Sequence, residues 1–494
     1  MVSEEWCFNM SATHQLQFMV ILFLSIGPWL KCFATTSIPE ELHIGFSAVP
    51  QSSTTSFQAV LSDPTGNFSM GFLRTNQNQL ALAVLHVASS EPFWVANPTH
   101  LASWSDTTRL FFNGSLVLSD PKTRVSWSTA TNGDRVVLLN TSNLQVLNKH
   151  TPLWESFHFP TNTLVQGQNF TAKMSLVSPN GFYTLQLGNN FMGLYENHGE
   201  EQLIYWKRSP LETKAEVTLG EGPIYARVNP EGYLGMYQTS TKPVDVQKFN
   251  SFQQPSTTSS FLFVRLEPDG NLKGYYWDGS NWLLNYQAIA EICELPSPCG
   301  SYGLCTPGGS GCSCLDNRTR FEQGGCLAGD DANSGGDLCG ERIGGSSYWV
   351  LRRSGVEPSH KELLGHVTTS SLAECEELCQ NNCSCWGALY NNATGFCYVL
   401  DYPIQTMLGT GDGSKLGYFK VRKGEGGRSR IWVGVVVAVL VLVGVIMVVG
   451  VGICVVRWKR RKGVRGEEDG ASPGPYKNLG SASFRSIEMC NNGQ

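Results

Sequence analysis

Cysteine is the residue type in this chain whose placement could do the most chemistry. Twelve cysteines lie between positions 293 and 397, against Cys7 and Cys32 before them and Cys454 and Cys490 after. A thiolate can bind zinc, attack an electrophile or close a disulfide, and the redox compartment decides among these. The spacing of Cys379, Cys383 and Cys385 could gather thiols around zinc. In an oxidising space the same even, dense cluster reads instead as a disulfide framework. No other group competes with it for a catalytic reading. The carboxylate pairs Glu376-Glu377 and Glu200-Glu201 read as solvated faces, and no phosphate-cradling glycine loop is present. Trp94, Trp104, Trp127, Trp154, Trp206, Trp277 and Trp282 could stack on sugars, but most are expected in cores, with one or two exposed. The expectation is therefore a binding protein, with no catalytic residue, no cofactor and no metal.

Three features supply the oxidising compartment. Residues 15–30 form an apolar stretch of signal-peptide length, followed by Cys32-Phe33-Ala34 with small residues where a signal peptidase reads. The leader, taken as residues 1–34, is atypical in carrying Glu4 and Glu5 and no lysine or arginine ahead of that stretch. Residues 431–456 hold no charged residue and reach roughly 39 Å as a helix, enough to cross a bilayer. Between the two apolar segments lie seven Asn-x-Ser/Thr sequons, at Asn67, Asn113, Asn140, Asn169, Asn317, Asn382 and Asn392, each a candidate for glycosylation. A cleaved leader puts the N-terminus outside. Arg457, Lys459, Arg460, Arg461 and Lys462 then abut the span on its inner side, as the positive-inside rule asks. Arg422, Lys423, Arg428 and Arg430 on the other side weaken that argument from charge. The expected topology is a single-pass type I plasma-membrane protein with a cytoplasmic tail, 457–494, too short for a kinase. The net charge of −5 gives no general reason to bind nucleic acid.

The elements that must position these residues are mostly strands. From about residue 42 to 290 there are no cysteines, and a turn motif recurs: Pro64-Thr65-Gly66, Pro179-Asn180-Gly181, Pro230-Glu231-Gly232 and Pro268-Asp269-Gly270. Proline presets the second position of a type I turn, and the glycine accepts the positive φ that doubles the chain back. Alternating residues follow, such as Phe182, Thr184 and Gln186 against Tyr183, Leu185 and Leu187. Many short hairpins predict an antiparallel barrel, prism or sandwich, and the length predicts two units divided near Val165. Residues 293–326 are too few and loop-rich for a large core, so disulfides worth ~2–4 kcal/mol each must stabilise them. In the following segment Ser371-Leu372-Ala373-Glu374 reads as a capping box starting a helix. Cys375, Leu378 and Cys379 would share one face of that helix. Phe396 to Leu400 reads as a strand beneath it.

The order of motifs resembles a family. Leu153-Trp154-Glu155-Ser156-Phe157-His158-Phe159-Pro160-Thr161-Asn162-Thr163-Leu164 resembles the W-x-S-F-x-x-P-T-x-T signature of plant S-locus glycoproteins and G-type (bulb-type) lectin receptor kinases. Cys299-Gly300-Ser301-Tyr302-Gly303-Leu304-Cys305 resembles their EGF-like motif, and the run from Glu374 to Cys385 their PAN/apple domain. The resemblance implies a mainly β architecture of tandem bulb-lectin-like β-prism domains, a small disulfide-rich EGF-like module, an α+β PAN/apple module and one transmembrane helix. The implied extents are 42–165 for the bulb-type lectin domain and 166–290 for a second lectin-like, S-locus glycoprotein domain. They are 293–326 for the EGF-like module, 339–421 for the PAN domain and 431–456 for the membrane helix. It also implies a pairing scheme: Cys293 with Cys305, Cys299 with Cys312, Cys314 with Cys326, Cys375 with Cys397, Cys379 with Cys385, and Cys339 with Cys383.

Two departures matter. The intracellular kinase is absent, so the chain looks like the kinase-less, membrane-anchored plant proteins named for their PAN domain. The mannose motif of bulb lectins, Gln-x-Asp-x-Asn-x-Val-x-Tyr, is not intact. Its nearest stretches, residues 113–118 and 140–147, lack the aspartate whose carboxylate would accept sugar hydroxyls. The expected function is a receptor-like protein or co-receptor that binds an extracellular glycan or a peptide ligand, with a lectin receptor kinase as a candidate partner. The alternative is a non-signalling carbohydrate-binding protein that tethers membrane to wall.

Overall fold

In the computed structural model, the residues described are 38–210, 224–238, 242–249, 261–308, 311–317, 319, 321, 325, 326, 338, 348–422 and 428–462. The leader expected at 1–34 and the tail beyond residue 462 lie outside them. The chain divides into two units, Met1–Arg422 and Lys423–Gln494.

The first unit opens with three antiparallel sheets around one core. One sheet runs Glu41–His43, Arg135–Leu138, Leu144–Asn148, Thr151–Glu155; a second runs Val125–Ser128, Leu116–Asp120, Arg109–Phe112, Ser47–Ala48. The third runs Phe57–Ser62, Phe68–Arg74, Gln79–His86, Glu91–Val95, with Ala102–Ser103 added beside Gln79–His86. Alternation along each strand sends Leu42, Phe72, Leu82, Phe112, Val136 and Val146 inward, where they form a single core. Trp94, Trp127 and Trp154 come one from each sheet and meet edge to face at 5.7–5.9 Å between ring centroids. They close the middle of a β-prism.

The same plan repeats. Thr163–Val165, Leu262–Leu266, Leu272–Trp277 and Trp282–Gln287 form one sheet, and Asn169–Thr171, Tyr225–Asn229, Tyr233–Tyr237 and Asp245–Lys248 another. The third is Ser175–Val177, Tyr183–Leu187, Met192–His198, Glu201–Arg208. Thr163–Val165 pairs with Leu262–Leu266, so the strand assigned to the first unit by a division near Val165 belongs to the second. All four recurring turns take the expected form: Gly66, Gly181, Gly232 and Gly270 have φ of +73 to +84°. Each donates its N–H to the residue before the proline, namely Asp63, Ser178, Asn229 and Glu267.

The cysteine-rich part follows. Gly303–Thr306 pairs antiparallel with Gly311–Cys314 and, on its other edge, parallel with Met407–Gly409. A five-stranded sheet, Tyr348–Ser354, Lys415–Arg422, Gly387–Asn391, Phe396–Leu400, Val367–Thr368, carries helix α1, Leu372–Gln380. The Ser371 hydroxyl accepts from Glu374 N–H, and the Glu374 carboxylate reaches back to Ser370 rather than Ser371. Cys375 and Cys379 face the sheet, fully buried, but Leu378 is exposed. Glu376 takes its place at the buried boundary, held by two hydrogen bonds from the Arg352 guanidinium at 2.8 and 2.7 Å. The expectation that Glu376 is merely solvated is thereby corrected: an arginine fork on the neighbouring strand made burial affordable.

The second unit contains helix α2, Arg428–Lys462. Its stretch Val439–Lys459, 21 residues with an 18-residue window of mean hydropathy 3.2, is long and apolar enough to cross a membrane.

Candidate binding site

Several residues of the stretches nearest to a mannose motif are engaged in hydrogen bonds within the prism. In the first stretch Asn113 caps its own turn, its Oδ1 accepting from Ser115 N–H, while the Ser115 hydroxyl bonds Ser128. In the second, Asn143 and Gln145 both donate their amides to Glu155, at 2.6 and 2.9 Å. Asn143 Oδ1 accepts from Phe157 N–H, and Ser156 accepts from Leu144 N–H. The signature around Trp154 is thus a clasp that engages Asn143 and Gln145 of the second stretch. Its end is pinned back onto the first prism, where Phe159 stacks on Trp154 and its carbonyl accepts from the Trp94 indole, while Gln168 of the second prism donates to the Phe157 carbonyl. Two aspartates of the first prism are also committed. Asp63 holds the turn to Phe68. Burial opposes the charge of Asp120, but hydrogen bonds from Ser103, Thr123 and Lys122 hold its carboxyl well below the usual range.

The tryptophans are structural. Trp94 is buried and Trp104, Trp127, Trp154, Trp206, Trp277 and Trp282 are half-buried, so none presents the open face expected of one or two. Trp104 lies under the Arg74 guanidinium, and Trp282 donates to Ser89 across the prism boundary. Arg265 ties the same boundary by an ion pair to Glu91 and hydrogen bonds to Pro92 and Thr163. His86 sits in the aromatic seam beside Trp277 and Trp282, its pKa lowered by burial.

The cysteines are crosslinked. The structure joins Cys293 to Cys305, Cys299 to Cys312, Cys314 to Cys326, Cys375 to Cys397 and Cys379 to Cys385. Cys383 is disulfide-bonded as well. Cys339, its expected partner, lies outside the described residues. Of the sequon asparagines, Asn67, Asn113, Asn140, Asn169, Asn317 and Asn392 are exposed. Asn382 is half-buried, and its amide nitrogen donates to Asp401 at 3.1 Å. Sequence reading missed Lys420. It is fully buried, and its ammonium donates to the carbonyls of Cys379 and Asn382 at 2.8 and 3.0 Å, where α1 ends. Nothing in its surroundings along the chain distinguishes it from a surface lysine.

The first unit holds a cleft of about 940 Å³ walled by three modules. The second prism contributes Phe182, Tyr183, Glu196, Asn197, His198 and Glu201; the disulfide-rich module contributes Ser297, Gly300 and Ser301; the last sheet and its loops contribute Trp386, Asp401, Tyr402 and Gln405. Glu196 is 7% exposed and faces His198 at 3.4 Å. The His198 ring stacks on Tyr402 at 5.5 Å. Burial, then the charges of Glu196 and Asp401, push the Tyr402 phenol above its usual range. Behind this wall a cavity of about 30 Å³ is lined by Glu196, Tyr205, His360 and Tyr402. Burial lowers the His360 pKa to about 4, and its Nε2 has no hydrogen-bond partner among the described residues. Tyr205 closes the floor, donating to the Gly270 carbonyl at 2.5 Å. The arrangement offers carboxylates, hydroxyls and aromatic faces, a set suited to recognition.

Comparison with known proteins agrees with this architecture. The D-mannose binding lectin family matches over residues 92–179, the S-locus glycoprotein domain over 231–319 and the PAN domain over 355–417. A PAN domain-containing protein of Arabidopsis thaliana is 54% identical over 98% of this chain and 99% of its own length. Two G-type lectin S-receptor-like serine/threonine-protein kinases of the same plant are 26% and 25% identical over 73% and 81% of this chain, which spans 44% and 52% of their lengths.

Proposed function

The chain belongs to the family of the PAN domain-containing protein of Arabidopsis thaliana, and from that premise we propose that it is a single-pass plasma-membrane receptor-like protein or co-receptor whose exterior recognises an extracellular peptide or protein. In this reading it acts by recognition and carries out no catalysis. Residues 1–34 are its signal peptide, 431–456 its membrane span and 457–494 its cytoplasmic segment. The prisms fill roughly 42–160 and 163–290, with the EGF-like module at 293–326 and the PAN module at 339–421. The exposed sequon asparagines carry glycans, and Cys339 closes the framework with Cys383.

The observation that carries the reading is the three-module cleft, set against the engaged Asn143 and Gln145 of the second mannose-like stretch. A cleft shared by separate modules suits a ligand with several chemical handles. The kinase relatives are named as receptor-like, and they supply the chemical class of a signalling partner: a lectin receptor kinase that shares this exterior. The test is capture of the intact protein from cross-linked plant membranes, followed by mass spectrometry. An extracellular protein and a receptor kinase should be retained above a mock bait. Recovery of neither overturns the reading.

The match to the D-mannose binding lectin family favours a second reading, a tether that binds wall glycan without signalling. A glycan array separates the two. Broad binding to mannose or wall polymers supports the tether, and silence supports protein recognition.

A further inference from the structure

We propose that the three-module cleft is built to take a cationic side chain, an arginine or lysine of a peptide, between Glu196 and Asp401, with Phe182 beside its aliphatic stem. The proposal deepens the receptor reading and rests on it.

Charge comes first. The cleft lining contains three carboxylates, Glu196, Glu201 and Asp401, and no lysine or arginine. A concave surface with one sign of charge and low-dielectric walls focuses its field and selects ligands of the opposite sign. Burial comes second, and it is independent of the charge count. Glu196 is 7% exposed, yet no hydrogen-bond donor reaches its carboxylate among the described residues. Its only charge partner there is His198, at 3.4 Å, an imidazole that is charged only when protonated. A buried carboxylate is costly unless it is paired and hydrogen-bonded, so a donor arriving from outside gains more at Glu196 than at a surface acid. Asp401 is exposed, and its Oδ1 accepts a single bond, from Asn382. Its other oxygen faces no donor among the described residues.

The walls select the rest of the side chain. Phe182 is 57% exposed and lines the cleft, whereas Trp386, also in its lining, is buried with the Arg422 guanidinium over its ring. Long cationic side chains bury their methylenes along apolar surface and keep the charged head with polar partners. A guanidinium also stacks on aromatic faces, which an ammonium does less well, so arginine fits better than lysine. The volume of about 940 Å³ admits several residues around that anchor.

The test uses the full-length protein in lipid nanodiscs. The probes are fluorescein-labelled octapeptides randomised around a fixed central arginine, beside a matched set with citrulline, the neutral isostere. The tightest binders should come from the arginine set and weaken with added salt. For the best of them, Glu196→Gln and Asp401→Asn should each raise Kd about tenfold or more. Because Glu196→Gln alters a buried site, Glu201→Gln and Phe182→Ala, both at exposed positions, serve as second variants and should raise Kd several-fold with unchanged thermal unfolding. Equal binding of citrulline peptides, no binder in either set, or indifference to all four substitutions overturns the assignment. If membrane capture returns an extracellular protein whose retention survives Glu196→Gln, the receptor reading stands and the cleft assignment falls. If arginine peptides bind the cleft while capture returns no extracellular protein, the cleft assignment stands and the receptor reading falls.

Discussion

His360 shows how a single residue can make the packing of two modules sensitive to acid. It projects from the last module into the small cavity behind Glu196, with Tyr205 and Tyr402 as its other titratable neighbours. The unfolded chain binds a proton near the ordinary value of 6.5, while the folded chain resists it down to about 4. Between those values the unfolded state holds more protons, so stability is complete above about 6.5 and declines as pH falls toward 4. The melting temperature of the protein should therefore drop over that interval. His360→Phe, which keeps the ring and removes the ionisation, should flatten that part of the decline. A variant whose Tm falls with pH as steeply as the parent's would show that the loss comes from other groups. His86, in the seam between the prisms, is biased in the same direction by burial, so the parent's slope contains both.

At the scale of elements, α1 is fixed from both ends by side chains of unequal visibility. Its start follows from local chemistry: Ser371 and Glu374 stand three residues apart, and the hydroxyl caps the helix. Its end depends on Lys420, forty residues further along the chain, reaching under the helix to two carbonyls. Lys420→Met should destabilise the protein by about 2 kcal/mol, read as a lower urea midpoint with an unchanged slope, because the two carbonyls lose their donor. A midpoint equal to the parent's would mean that other donors take over. The contrast explains what could be read in advance. Strands and turns were legible because alternation and the Pro-x-Gly motif are local, and all four motif glycines adopt the positive φ that the motif requires. The disulfide partners were legible only through resemblance, since spacing alone leaves many connectivities open. Leu378 and Glu376 were misjudged because helical periodicity does not show that Arg352 waits on a neighbouring strand. The cleft was not legible at all, because residues near 182–201, 297–301 and 383–405 meet only after three modules have folded.

For the whole molecule, the decisive question is which face of the membrane each part occupies. In the proposed topology, thiol alkylation of the intact, non-reduced protein should leave the cysteines from 293 to 397 unlabelled. Protease added to sealed, right-side-out vesicles should remove the prisms and spare the segment beyond 457. Labelling throughout that cysteine cluster, or digestion of that segment from outside, would contradict the arrangement. The proposed exterior has a further property of assembly. Gly303–Thr306 and Met407–Gly409 belong to modules of different character, yet they share a parallel ladder with Leu304 opposite Met407. Thr406 reinforces it, its hydroxyl accepting from Cys299 N–H and donating to the Gly300 carbonyl. Anyone building chimaeras from relatives of this protein would sever that ladder by cutting near residue 338 and leave two raw strand edges, each a template for wrong pairing. A junction near residue 290 moves both modules as one cassette, which makes them a single heritable part despite their two family names.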